Sequence, residues 1–147
     1  LLREKIPNIC IGVDVITGFP TEDENDFNET FNLLKNLEVS YLHVFPYSER
    51  ENTMGKDLDL KVPHQIKIDR GKKLRALSDM LKFNFILNNL KCQHNVLIEG
   101  IEDGWAFGYS ENYIKVLTKQ IDYKVNDIVE LQTIEVKDLQ MIGVAND

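Results

Sequence analysis

Residues 9–17, ICIGVDVIT, form a nearly unbroken apolar run rich in β-branched side chains; an amphipathic helical pattern follows at once, and residues 41–45, YLHVF, return to strand-like composition. Such a run predicts a strand covered on both faces, as in a parallel sheet. Strand, helix and strand at so short a spacing predict a right-handed βαβ crossover. Two parallel strands cannot close a barrel or cover a helix by themselves, so further strands are expected upstream of residue 1. The opening LLREKIPNIC, without an initiator Met or the features of a signal peptide, also suggests a chain that begins inside something larger.

The turn after the first run reads DVITGFPTE, residues 14–22. Thr21 with Glu24 has capping-box spacing, and acids at 22, 23, 24 and 26 complement the positive end of the helix that follows. Phe27, Phe31, Leu34 and Leu37 then share one helical face. After an irregular stretch from 47 to about 61, Pro63 suits the first turn of a long helix striped by Ile66, Leu74, Leu77, Leu81 and Phe85. Near Cys92 the apolar period changes to two. Runs at 95–99, 105–109, 113–118, 127–136 and 139–144, separated by turn-forming residues, predict a small antiparallel β-barrel. The expected division is residues 1–83, an α/β unit with its linking helix, and 84–147, the barrel.

The 147 residues contain no apolar run long enough for a membrane span, and the two cysteines, Cys10 and Cys92, form neither a disulfide framework nor a metal-ligand set. A reducing, cytoplasmic setting is expected. Net charge is −7, but it is unevenly spread. Residues 61–82 carry seven basic side chains against two acidic, net +5, whereas 84–147 carry five against ten, net −5. A basic helix therefore precedes an acidic half, where nucleic-acid binding would have to rest on shape and stacking.

Parallel sheets place ligands at the C-terminal ends of their strands. Gly18 could let a ligand approach the backbone, or Gly18 and Pro20 could simply shape a turn that Thr21 caps. HVFPYSERENT, residues 43–53, ends the second strand. His43 could act as an acid or base, although a lone strand histidine is more often a hydrogen-bonded core residue. Tyr47, Ser48 and Arg50 follow as a polar cluster, with Arg50 able to grip a carboxylate or phosphate or to meet Glu49 or Glu51. In the barrel, GYSENY at 108–113 offers aromatics that could stack on bases, while Trp105, Phe107 and Tyr113 could equally be core.

In this order, DVITGFPTE, an F-x-x-T helix, HVFPYSER, a basic helix and a barrel carrying GYSENYIKV resemble the C-terminal half of the radical S-adenosylmethionine methylthiotransferases. The closing barrel resembles their RNA-binding TRAM domain, and the HVFPYS form is most similar to the enzymes that methylthiolate threonylcarbamoyl adenosine in tRNA. Thr21 and Asn52 stand where that family usually has glycine, and Asp23 where it usually has threonine. The resemblance implies the end of a radical S-adenosylmethionine partial barrel joined to a TRAM-like barrel. It also implies S-adenosylmethionine and two 4Fe-4S clusters in the parent enzyme, with tRNA as partner. The cluster-binding C-x-x-x-C-x-x-C motif is absent from these residues, so the fragment alone is expected to be inactive and to hold no metal. Ile16, Gly18, Phe19, Val44, Phe45 and Pro46 would line the S-adenosylmethionine pocket, with Asp14 and Glu22 as polar contacts. Tyr47, Ser48 and Arg50 would meet substrate, with Lys72, Lys73, Arg75, Tyr109, Asn112 and Tyr113 towards RNA; no catalytic residue is assigned. The alternatives are an RNA-binding module without catalysis, or the same chemistry on another tRNA base or a ribosomal-protein side chain.

Overall fold

A computed structural model describes residues 1–119 and 122–145, and it divides into two compact units. Residues 11–82 form the first; residues 1–10 and 83–145 belong to the second. The first ten residues thus go with the barrel and not, as the sequence pattern predicts, with the α/β unit.

In the first unit, β1 (Gly12–Thr17) pairs in parallel with β2 (Tyr41–Pro46), and α2 (Glu24–Asn36) is the crossover between them. The long helix α3 (His64–Asn88) contributes residues 64–82 to this unit, its first turn taking the Pro63 carbonyl as acceptor for the Lys67 amide. Val15, Phe27, Leu34, Leu42, Leu74, Leu77 and Leu81 make the core. Ser78, buried in the middle of α3, donates its hydroxyl to the Leu42 carbonyl and accepts the Leu42 amide, which fixes the helix against β2. Ile66, the first residue of the expected stripe, is exposed, whereas Arg70, one turn on, is buried on that stripe.

The expectation of a strand covered on both faces is corrected here. Alternation in β1 buries Val15 and Thr17 and leaves Gly12, Asp14 and Ile16 exposed, because both helices pack on one side of the two-stranded sheet. The capping box is also displaced. Asp23, not Thr21, caps α2, accepting from the amides of Asn25 and Asp26, while the Asp26 carboxylate accepts from the Asp23 amide. Thr21 cannot serve, because its φ of 76° is left-handed where an N-cap is extended. Asn52 likewise has φ 62°. At both positions the backbone keeps the left-handed conformation that glycine adopts without strain.

In the second unit, α1 (Leu2–Lys5) precedes five strands: β3 (Gln93–Glu102), β4 (Trp105–Ser110), β5 (Lys115–Lys119), β6 (Ile128–Lys137) and β7 (Gln140–Ala145). They hydrogen-bond in the order β3-β4-β5-β7-β6, and β6 returns to β3, so the sheet closes on itself. It is mostly antiparallel. The β5–β7 pair is parallel, which differs from the all-antiparallel expectation. Register shifts at Ile98/Gly100 and Thr133/Glu135 supply the local bending that closure requires. Val96, Ile98, Ala106, Val116, Leu131 and Met141 fill the interior, sealed by Phe85 and Ile86 from the last turns of α3.

The β4 aromatics do not enter that core. Ala106, Gly108 and Ser110 point inward, and Trp105, Phe107 and Tyr109 point outward. A Cβ on Gly108 would collide with the Leu97 carbonyl, so β3 and β4 approach too closely there for any side chain. The Phe107 ring lies over Gly100, its cross-strand partner at the β3 register shift.

Candidate functional site

Three cross-strand rows make up the open face of the parallel sheet: Gly12 with Tyr41, Asp14 with His43, and Ile16 with Phe45. Ile16 is 58% and Phe45 51% exposed. Two large apolar side chains left bare beside a carboxylate and an imidazole have the composition of a ligand-binding face. The Tyr41 ring covers Gly12 and meets His43 edge-on at 4.9 Å, and Phe45 lies 6.4 Å from His43 on the other side. His43 is thus held between two rings on an exposed face, not in the core.

Of the residues expected around S-adenosylmethionine, Asp14, Ile16 and Phe45 come together on this face. Val44 does not: it alternates to the other side and packs on the core with Val13 and Val39. Pro46 closes β2 and is exposed. Gly18 has φ 72°, but the stem of Lys67 occupies the space where its Cβ would be, so no ligand approaches from that direction. Its amide is already used, donating to Glu22 Oε2 at 3.0 Å.

Glu22 is the pivot of this turn. Its other carboxylate oxygen pairs with the Arg70 guanidinium, whose side chain is 5% exposed against 15% for Glu22. Arg70 also donates to the Glu22 carbonyl at 3.2 Å, reaches Glu24 at 3.4 Å and stacks over the Phe27 ring at 5.4 Å. Counting Arg70 as one more charge of a basic helix misses this. Its spacing four residues before buried Leu74 is the signal the sequence offers.

Phe19 and Tyr47 meet edge-on at 5.2 Å, with Lys67 Nζ 5.2 Å from the Tyr47 ring and 3.4 Å from its carbonyl. The Tyr47 hydroxyl is buried beside Gly55. Tyr47 is therefore a packing residue between the two strand-end loops, while Ser48 and Arg50 are exposed. Glu49 pairs with Lys61 at 2.7 Å rather than with Arg50. The hydrogen bond and charge of Lys61 hold the Glu49 carboxyl below its ordinary range, and the same contact raises the Lys61 ammonium.

On α3, Lys72 lies 3.9 Å from Asp69, Lys73 lies 3.7 Å from Glu24 and near the Phe27 ring, and Arg75 is exposed, its guanidinium over Gly71. Part of the basic charge is thus already balanced within the unit. In the barrel, Tyr109 and Tyr113 are exposed, Tyr113 at 78%, but Asn112 is buried. Its amide donates to Asn89 Oδ1 and the Asn8 carbonyl and accepts from Ser110, tying the N-terminal segment to the barrel. These bonds give Asn112 a structural role within this unit. The outer face of β4 and β5 instead sets Trp105 opposite Lys119, Phe107 opposite Leu117 and Tyr109 opposite Lys115, with Lys115 Nζ 5.5 Å from the Phe107 ring. Aromatics interleaved with lysines suit base stacking with phosphate contacts.

No cluster of His, Cys, Asp and Glu able to hold a metal occurs among the described residues. The open face, by contrast, suits an organic cofactor with apolar and charged parts.

Comparison with known proteins places the chain in one class, the methylthiotransferases. It is 33% identical over 143 residues to the threonylcarbamoyladenosine tRNA methylthiotransferase MtaB of Bacillus subtilis, covering 91% of this chain and 31% of that protein. It is 41% identical over 102 residues to the tRNA-2-methylthio-N(6)-dimethylallyladenosine synthase of Clostridium tetani, covering 67% and 22%. It is 28% identical over 149 residues to the ribosomal protein uS12 methylthiotransferase RimO of Clostridium acetobutylicum, covering 97% and 34%. No family profile matches. The chain belongs to the radical S-adenosylmethionine methylthiotransferase family, and it spans between about a fifth and a third of the length of these curated relatives.

Proposed function

We propose that these residues are the C-terminal part of an enzyme that adds a methylthio group to C2 of threonylcarbamoyl adenosine beside the anticodon of tRNA. The reading rests on the HVFPYS form at residues 43–48, which resembles that subgroup, within a chain 33% identical over 91% of its length to a threonylcarbamoyladenosine enzyme. The α/β unit is read as the end of a radical S-adenosylmethionine partial barrel and the closed sheet as a TRAM-like module. S-adenosylmethionine, when bound, supplies the carbon radical the chemistry needs. This chain's share is positional. Ile16 and Phe45 offer apolar surface, Asp14 an acceptor, and the Glu22–Arg70 pair holds the adjoining turn in place. With the three-cysteine motif absent, the segment alone is inactive.

In the second unit, Trp105, Tyr109 and Tyr113 would stack on bases and Lys115 and Lys119 would meet phosphates; in the first unit, Lys72, Lys73 and Arg75 of α3 would supply charge towards RNA. No described helix is long and apolar enough to cross a membrane. Deleting the gene and measuring methylthio nucleosides in bulk tRNA by mass spectrometry tests the function; loss of the threonylcarbamoyl species is expected. An unchanged tRNA profile would refute the tRNA reading and leave a protein side chain as target. Neutralising Lys72 and Arg75 should weaken tRNA binding and flatten its salt dependence, the log–log slope falling by roughly 0.7–0.9 for each phosphate the protein no longer neutralises.

A further inference from the structure

The open sheet face contains more chemistry than a cofactor's apolar parts require. His43 occupies its central row, opposite Asp14 in register. The other outward side chains of the two strands are Ile16 and Phe45, which are apolar, and Tyr41, whose ring is folded over Gly12. Asp14 is an acceptor when ionised, so the imidazole is the N–H donor in the middle of the face. Rings on both sides orient it, at 4.9 Å edge-on from Tyr41 and 6.4 Å from Phe45. A donor held this way at an exposed position has no packing role that a phenyl ring would not fill.

The relatives' target nucleosides differ in chemistry at one place. A threonylcarbamoyl substituent carries a carboxylate and a hydroxyl, whereas a dimethylallyl substituent is hydrocarbon. We propose that His43 is the specificity-determining residue of this site, donating a ring N–H to the carboxylate of the substituent on the target adenosine. The proposal rests on the tRNA reading above. It makes His43 a substrate-recognition residue and gives it no part in bond making. A site built to hydrogen-bond a polar group discriminates strongly against an analogue that lacks it, because the protein group is then left unpaired.

The test uses the full-length protein and one anticodon stem-loop RNA prepared with and without the threonylcarbamoyl group, with binding read by fluorescence anisotropy. Wild type should prefer the modified RNA by at least about tenfold, the scale of one hydrogen bond to a charged group. His43→Phe, which retains a flat ring between Tyr41 and Phe45, should bring the ratio close to one, and His43→Asn, which keeps an N–H donor, should restore part of it. A preference that survives His43→Phe overturns the assignment, as does a wild type that binds both RNAs alike. A preference lost in Arg50→Gln but not in His43→Phe would move the carboxylate to Arg50 and overturn it too. The nucleoside measurement on the deletion strain judges the tRNA reading separately, since it does not depend on which residue meets the carboxylate.

Discussion

The Glu22–Arg70 pair invites a quantitative test, because it lies between the strand-end turn and α3 within one unit. Removing one partner of a buried ion pair costs about 3–5 kcal/mol, since the other charge is left without compensation. Two features lower that figure here. The Glu22 side chain keeps 15% exposure, and Arg70 retains Glu24 at 3.4 Å, although Glu24 is itself exposed. Glu22→Ala also strips the Gly18 amide of its acceptor, worth about 1 kcal/mol, so a loss of about 3 kcal/mol is expected. Arg70→Met should cost a similar amount by leaving the largely buried Glu22 carboxylate without its cation. The double change Glu22→Ala with Arg70→Met should cost far less than the sum of the two, because it removes both charges together, along with the buried Arg70 Nε that has no hydrogen-bond partner. Denaturant unfolding followed by hydrogen exchange over residues 18–26 reads both the free energies and their location. The singles should accelerate exchange at Gly18 and Thr21, and the coupling should be about 2 kcal/mol or more. Additive effects, or a Glu22→Ala variant as protected as wild type, would show that the pair does not hold the turn.

Thr21→Gly should stabilise the first unit by about 0.5–1 kcal/mol, as relief of left-handed strain at φ 76° outweighs the entropy glycine adds to the unfolded chain; a loss in thermal unfolding would refute it. Gly108→Ala should cost at least about 2 kcal/mol by driving a methyl into the Leu97 carbonyl, with exchange rising in β3 and β4 while residues 11–82 stay protected. The Glu49–Lys61 contact predicts a pH window for the loop it closes. Glu49 is depressed, so its contribution is present above its unfolded value and disappears as pH falls through the folded one. Lys61 is raised, so its contribution is present below its unfolded value and disappears as pH rises through the folded one. Proteolytic protection of residues 47–61 should therefore be flat from about pH 5 to 10, fall outside that range, and lose its pH dependence in Lys61→Met.

The βαβ crossover and the five barrel strands are legible because their apolar periods change where the backbone does, and the expected strands overlap the observed ones throughout. What alternation cannot say is which face turns inward. Trp105, Phe107 and Tyr109 share a face by period alone, but they point outward because Gly108 lies against the Leu97 carbonyl, eleven residues away in sequence. The same limit applies to β1, whose apolar composition does not say that only one face receives helices. Capping is ambiguous for a different reason. Thr21–Glu24 and Asp23–Asp26 both satisfy the three-residue spacing, and the sign of φ at Thr21 decides between them. Asn112 reads as a loop polar residue in GYSENY, and only the return of Asn8 and Asn89 to the same place makes it a buried bridge.

These placements divide the DVITGFPTE segment into two jobs. Its strand part turns Asp14 and Ile16 onto the open face, where both are exposed. Its turn part spends its polar groups internally: the Gly18 amide on Glu22, the Thr21 amide on the Leu60 carbonyl at 2.7 Å, and the Glu22 carboxylate on Arg70. A turn with its donors so committed has little left to offer a ligand's carboxylate or ribose. Its value to the site is rigidity. Because the backbone is left-handed at Thr21, a conformation glycine adopts freely, threonine there carries strain. On the proposed reading, recognition falls to the alternating face of β1 and β2, where a shift of one residue along each strand would exchange Asp14 and His43 for the inward-facing Val15 and Val44.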